Sequence, residues 1–178
     1  MRLEPATGGI TLCEEHLRRT LADCPRFRAW CGADNQAQAL ARIHFDDLPA
    51  PEDGAAALSE DQIIALRPFA LIETGKQGGY SRGRVATETY VEAGLLWIVL
   101  EENVPADLAQ HTAALARKFK NTLGQIIAEL LALAYEPDYL AIDQLTLHGP
   151  VRCTPETIVG EGDHQFAALE VRHGVGQQ

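Results

Sequence analysis

Hydrophobic and polar positions follow two different periods along this chain, and the change of period divides it. In the first third the spacing is helical. Thr11 and Glu14 (TLCE) have the form of a capping box, and Leu17, Leu21 and Cys24 continue one face behind it. Pro25 removes a backbone donor, so that helix should end or bend there. A short turn through Phe27 and Trp30 follows and should stop at Gly32. Asp34 is placed to cap a further helix in which Ala37, Leu40, Ala41 and His44 share a face. Residues 49–54 (PAPEDG) form the strongest break in the chain. Ser59 and Gln62 then make a second capping box, opening a short helix that Pro68 must end.

Beyond Pro68 the period changes to alternating or continuously apolar. Residues 69–73 (FALIE) read as a strand, and 74–84 (TGKQGGYSRGR) as a loop with four glycines and three cations. Next, Val85, Thr87, Thr89 and Val91 line one face of a strand whose other face, Ala86, Glu88 and Tyr90, is wetter. A turn at 92–94 leads into 95–100 (LLWIVL), apolar on both faces; this predicts a central strand with Trp97 buried. The longest helix is expected over roughly 107–134, its apolar stripe of Leu108, Leu115, Phe119, Leu123, Ile126, Ile127, Leu130 and Leu131 lying across the sheet. Residues 139–148 and 164–172 read as two closing strands, joined by a turn-rich connection with Pro150, Pro155, Gly160 and Gly162. The order predicts an α+β fold: a mainly antiparallel sheet of about five strands, a long helix packed across it, and N-terminal helices. A single domain over 1–178 is expected, with its helical part at about 11–66, a linker at about 49–58, and the sheet and long helix at about 68–174.

Charge narrows the functional classes. The 178 residues carry 15 Lys+Arg against 25 Asp+Glu, a net charge of −10. Such a surface repels phosphate backbones and anionic bilayers, which disfavours a nucleic-acid-coating or membrane-binding role. The N-terminus lacks the apolar core of a secretory signal, 95–100 is too short to span a bilayer, and 126–134 contains Glu129. A soluble cytosolic chain is expected, with Cys13, Cys24, Cys31 and Cys153 as reduced, mostly buried thiols.

Candidate chemistry is sparse. Cys13 and His16 have a spacing that could set both beside an ion, but Cys24 or Cys31 would have to fold back to complete a zinc site. His44, Asp46 and Asp47 offer another ligand group, at a position where solvated acids are the commoner reading. Neither serine, Ser59 or Ser81, sits in a nucleophile elbow, and Gly75-Lys76 has its glycine and lysine in the wrong context for a phosphate loop. Two cation clusters stand out on an acidic chain: Lys76, Arg82 and Arg84 with Tyr80 in the 74–84 segment, and Arg117, Lys118 and Lys120 on the long helix. These seven residues are the candidate interface: the 74–84 cluster is suited to an acidic neighbour, and the helix cluster is either a solvated face or a contact with acids of another copy such as Glu101 and Glu102 or Asp46 and Asp47. No catalytic, metal or cofactor residue is assigned.

The layout resembles the tail-completion or tail-terminator proteins of long-tailed bacteriophages and related prophages. The carrying features are the amphipathic N-terminal helix (TLCEEHLRRTLADCP), strands ending in GLLWIVLEENVP, the long helix RKFKNTLGQIIAELLALA, and the closing strands. That resemblance implies a structural virion assembly protein, not an enzyme and without cofactor, in the virion tail or neck after synthesis in the host cytoplasm. It further implies a ring of copies of itself, usually a hexamer, ending growth of the tail-tube protein and joining the head-connector protein, with DNA only as passing cargo. The residues also admit a small-ligand- or metal-binding α+β domain, through His44, Asp46, Asp47 or the 74–84 segment, or a bacterial protein–protein adaptor.

Overall fold

The computed structural model describes residues 9–45, 48, 58–74, 80–85, 88–104, 112–133, 141–142, 145–161 and 164–177. Helix α1 (Gly9–Asp23) begins before Thr11, so Thr11 lies inside the helix and is not its cap. Pro25 starts α2 (Pro25–Cys31) at the one position where a missing N–H costs nothing. Gly32 closes that helix at φ 69°, the left-handed conformation that a residue with a Cβ resists. The expected cap at Asp34 falls one residue later. Asn35 holds the extended backbone before α3 (Gln36–Leu40), and its Oδ1 accepts the Gln38 N–H at 3.0 Å. In α4 (Glu60–Leu66) both halves of the Ser59–Gln62 capping box are formed, and the helix stops before Pro68 as expected.

His44 does not extend the face of α3. It belongs to strand β1 (Ile43–Phe45), which pairs parallel with β2 (Phe69–Thr74). The remaining strands are β3 (Tyr80–Val85), β4 (Glu88–Asn103), β5 (Ala141–Ile142), β6 (Leu145–Glu161) and β7 (His164–Gln177). They form one sheet in the order β1-β2-β4-β7-β6-β5, with β3 also on β4 and every pair but β1–β2 antiparallel. The fold is therefore α+β and mainly antiparallel, with seven strands among the described residues instead of about five.

Three strand boundaries differ from the sequence expectation for one reason: ladders continue through residues that usually break them. The expected turn at 92–94 is a register shift between Ala93 and Leu95 inside one long strand, a bulge where Gly94 has no side chain to place. Residues 80–84 are strand, not loop, because β2 and β3 run in the same direction along one edge of β4. Likewise Pro150, Pro155 and Gly160 lie within β6, whose register against β7 shifts between His148 and Pro150, between Pro150 and Arg152, and between Pro155 and Thr157. Those shifts leave proline's missing donor outside the regular ladder.

The long helix α5 (Ala113–Leu133) buries Phe119, Leu123, Ile126 and Leu130 of the stripe read from the sequence, with Leu115, Ile127 and Leu131 half-buried and Leu108 outside the described residues. Expected helical residues 107–111 and 134, and the 49–57 part of the linker, lie outside the described residues. Helix α5 packs on β6 and α2, and α1 on β4, β6 and α3. Leu17, Leu21, Phe27 and Ala39 from the N-terminal helices share one buried cluster with Ala70, Ile72, Ile98, Leu100, Ala167, Leu169 and Val171 from the sheet. These sheet residues are cross-strand partners of one another (Ala70 with Leu100, Leu100 with Ala167, Ile98 with Leu169), so they lie on a single face.

Candidate functional site

Alternation along the strands sends the intervening residues to the opposite face. There His44, Leu71, Trp97, Val99, Phe166 and Ala168 are only partly buried, and none belongs to the cluster under the helices. The pairings Leu71–Val99–Ala168 make the middle rung of this face, with Glu73–Trp97–Glu170 beside it on one side and Phe69–Glu101–Phe166 on the other. Trp97 is thus on a central strand, as expected, but on the face away from the helices, and it is only partly buried. Of these side chains only Phe69 is closed off, at 1% exposure.

Of the acids proposed as contacts, Glu101 and Glu102 are engaged within the chain, and Asp46 and Asp47 lie outside the described residues. Glu101 accepts from Arg67 Nε at 2.5 Å, and Arg67 Nη1 also donates to Asn103 Oδ1 at 3.2 Å. Glu102 accepts from the Trp30 indole N–H and from Gln165 Nε2, fastening α2 to β4 and β7. Glu102 and Gln165 are direct cross-strand partners, and Gln165 is buried at 1% exposure. Glu129 of α5 accepts the Arg26 backbone N–H at 2.7 Å, occupying an orphan donor in the first turn of α2. Sequence reasoning missed all three anchors, because an acid at the edge of or within an apolar run gives no sign of which partner the fold will bring to it.

Of the candidate interface residues, Arg117, Lys118 and Lys120 are exposed on α5 and in no ion pair with a described residue. Arg117 and Lys118 border an open groove of about 700 Å³ with Ala113, Ala114, Asn121, Thr122 and Gln125; Lys120 does not line it. The second cluster is redistributed. Tyr80, Arg82 and Arg84 occupy alternate positions of β3, opposite Ala93, Val91 and Thr89, and Lys76 lies outside the described residues. The two clusters therefore sit on different elements, one on a helix and one on a strand.

The described members of the metal and nucleophile candidates do not come together. Among the described residues no group of three His, Cys, Asp or Glu could hold a metal ion; Asp46 and Asp47 lie outside them, as does the Cys13 side chain. Cys24, Cys31 and Cys153 are free thiols. Burial pushes Cys24 up to about 12, with Glu129 and Asp23 adding to the shift, and burial alone does the same to Cys153. Such thiols hold almost no thiolate at neutral pH and are poor nucleophiles.

His44 sits edge-on to Phe69, ring centroids 6.1 Å apart, near the guanidinium groups of Arg18 and Arg42. Burial first, then Arg18 and Arg42, hold its pKa below the usual 6.5. The neutral ring is the folded form, so on acidification the unfolded chain takes up this proton first. Stability tied to His44 is complete above pH 6.5 and falls as the pH drops below that value. Thermal melts of His44→Gln should accordingly lose less between pH 7 and pH 5.5 than those of the unaltered chain; equal losses would remove His44 as a source of acid sensitivity.

No protein-family model matches the chain, and no curated protein does either. Among the described residues no helix is long and apolar enough to cross a membrane.

Proposed function

We propose that this chain is a structural assembly protein of the tail-terminator or neck type, a ring-forming component that ends growth of a tail tube and joins a head connector. The observation that supports the reading is the sheet's two-sidedness. One face is sealed by α1, α2, α3 and α5, whereas the other presents Leu71, Trp97, Val99 and Phe166 partly exposed and flanked by acids. Exposed apolar side chains rimmed by charge suit lasting contact with other protein surfaces. The element order is close to that of the resemblance: helical N-terminal part, long antiparallel strands, one long helix, and closing strands, of which there are three (β5, β6 and β7). Subunits of a ring need two different contact surfaces, and a net charge of −10 gives a lumen along which a polyanion slides without adhering.

Purified tail tubes of the same phage or prophage provide the test. Incubated with the chain and viewed by negative-stain microscopy, they should carry a ring at one end and stop elongating. A chain that never caps tubes overturns the reading.

A further inference from the structure

We infer that copies of this chain join head to tail, the Arg117 and Lys118 face of α5 on one copy seating against the Trp97 rung of the sheet on the next. Three observations carry it. First, Glu73 and Glu170 are the direct cross-strand neighbours of Trp97, one on each side; Glu170 is already engaged within the chain, which leaves Glu73 as the carboxylate beside the indole. An aromatic ring beside a carboxylate is chemistry that receives a guanidinium or an ammonium, by cation–π attraction and charge together. The next rung along, Leu95 with Arg172, bounds this acidic stretch.

Second, the chain supplies a matching donor. Arg117 and Lys118 are exposed on α5 beside small and neutral residues, Ala113, Ala114, Asn121 and Gln125, which let a helix approach a flat surface closely. Neither cation is in an ion pair with a described residue, and neither is Glu73. Third, the two surfaces face opposite ways. Helix α5 covers the buried face of the sheet with Phe119, Leu123, Ile126 and Leu130, so its cations point away from the layer, while Trp97 points out of the other side. One copy cannot join its own two surfaces. Because the two surfaces lie on opposite sides, a two-fold contact cannot engage both at once, whereas a head-to-tail contact pairs cation with acid at every interface and repeats around a ring. The occupant of the sheet face is thus a second copy of this chain. This deepens the assembly reading and depends on it only for self-association.

Charge swaps test it. Sedimentation velocity of the purified chain between micromolar and several hundred micromolar should show concentration-dependent association. Glu73→Lys and the pair Arg117→Glu with Lys118→Glu should each weaken it about tenfold or more. Mixing the two variants should restore association between unlike chains, because the mixture contains one unaltered helix and one unaltered sheet face. Circular dichroism checks that every variant is folded, and the α5 substitutions stand alone if Glu73→Lys is not. A strict monomer at all concentrations overturns the inference, as does association that every swap leaves unchanged. If the swapped chains still cap tail tubes in rings, the contact is wrong and the assembly reading survives; if the unaltered chain self-associates but never caps tubes, the reverse holds.

Discussion

Replacing Phe27 by alanine should destabilise the chain by about 3–5 kcal/mol, and Trp97→Ala by clearly less, about 1–2 kcal/mol. Phe27 has no exposed surface and belongs to the cluster joining the helical layer to the sheet. Its helix has seven residues, too few to persist without packing. The surroundings are also pinned, which prevents collapse into the space a truncated side chain leaves. The Trp30 ring lies 5.7 Å from Phe27 and its N–H is bound to Glu102, while the Arg26 N–H is bound to Glu129. Trp97 is larger but only partly buried and lies on the other face outside that cluster, so its loss opens no enclosed cavity. Urea unfolding followed by circular dichroism gives both values. An equal or larger loss at Trp97 would mean that the sheet face read here as open is covered.

This reversal shows where the sequence was informative. Periodicity located the α5 stripe, the Ser59–Gln62 capping box and the stop at Gly32, because each depends on neighbours within a turn or two. It also identified 95–100 as a central strand. It did not tell which side of that strand the helices would take: both sides are apolar, and period-two alternation is silent when every residue is hydrophobic. The same limit applies to the long strands. Gly94, Pro150 and Pro155 signal a break in any local reading, yet pairing to β7 over fourteen residue pairs on either side carries the ladder across them. The candidate interface divides along this line. Arg117 and Lys118 were legible because an exposed helical face is a local property. That Glu101 and Glu102 already have partners was not, since Arg67 and Trp30 lie 34 and 72 residues away along the chain.

Arg67→Met should cost about 3–5 kcal/mol, the penalty for leaving a buried charge without its partner. The Arg67 and Glu101 side chains are 8% and 17% exposed, so little solvent screens the pair and little is available to rehydrate whichever partner remains. The damage should spread beyond one ion pair. Arg67 also holds Asn103 Oδ1, while the Asn103 amide donates to the Ile64 carbonyl at 2.9 Å near the end of α4. Losing the guanidinium therefore leaves two acceptors short and loosens the attachment of α4 to β4. The double variant Arg67→Met with Glu101→Leu should regain most of the loss, because apolar replacement of both partners removes the stranded charge along with the attraction. Unfolding free energies of the two single variants and the double close the cycle. A double variant weaker than either single would mean that the pair contributes net attraction exceeding its desolvation. In that case α4 is held chiefly by charge. Recovery in the double would assign the penalty to the stranded carboxylate and leave the attachment of α4 to its backbone contacts: the Asn103 bond to Ile64, and the Arg42 guanidinium on the Leu66 carbonyl at 2.9 Å.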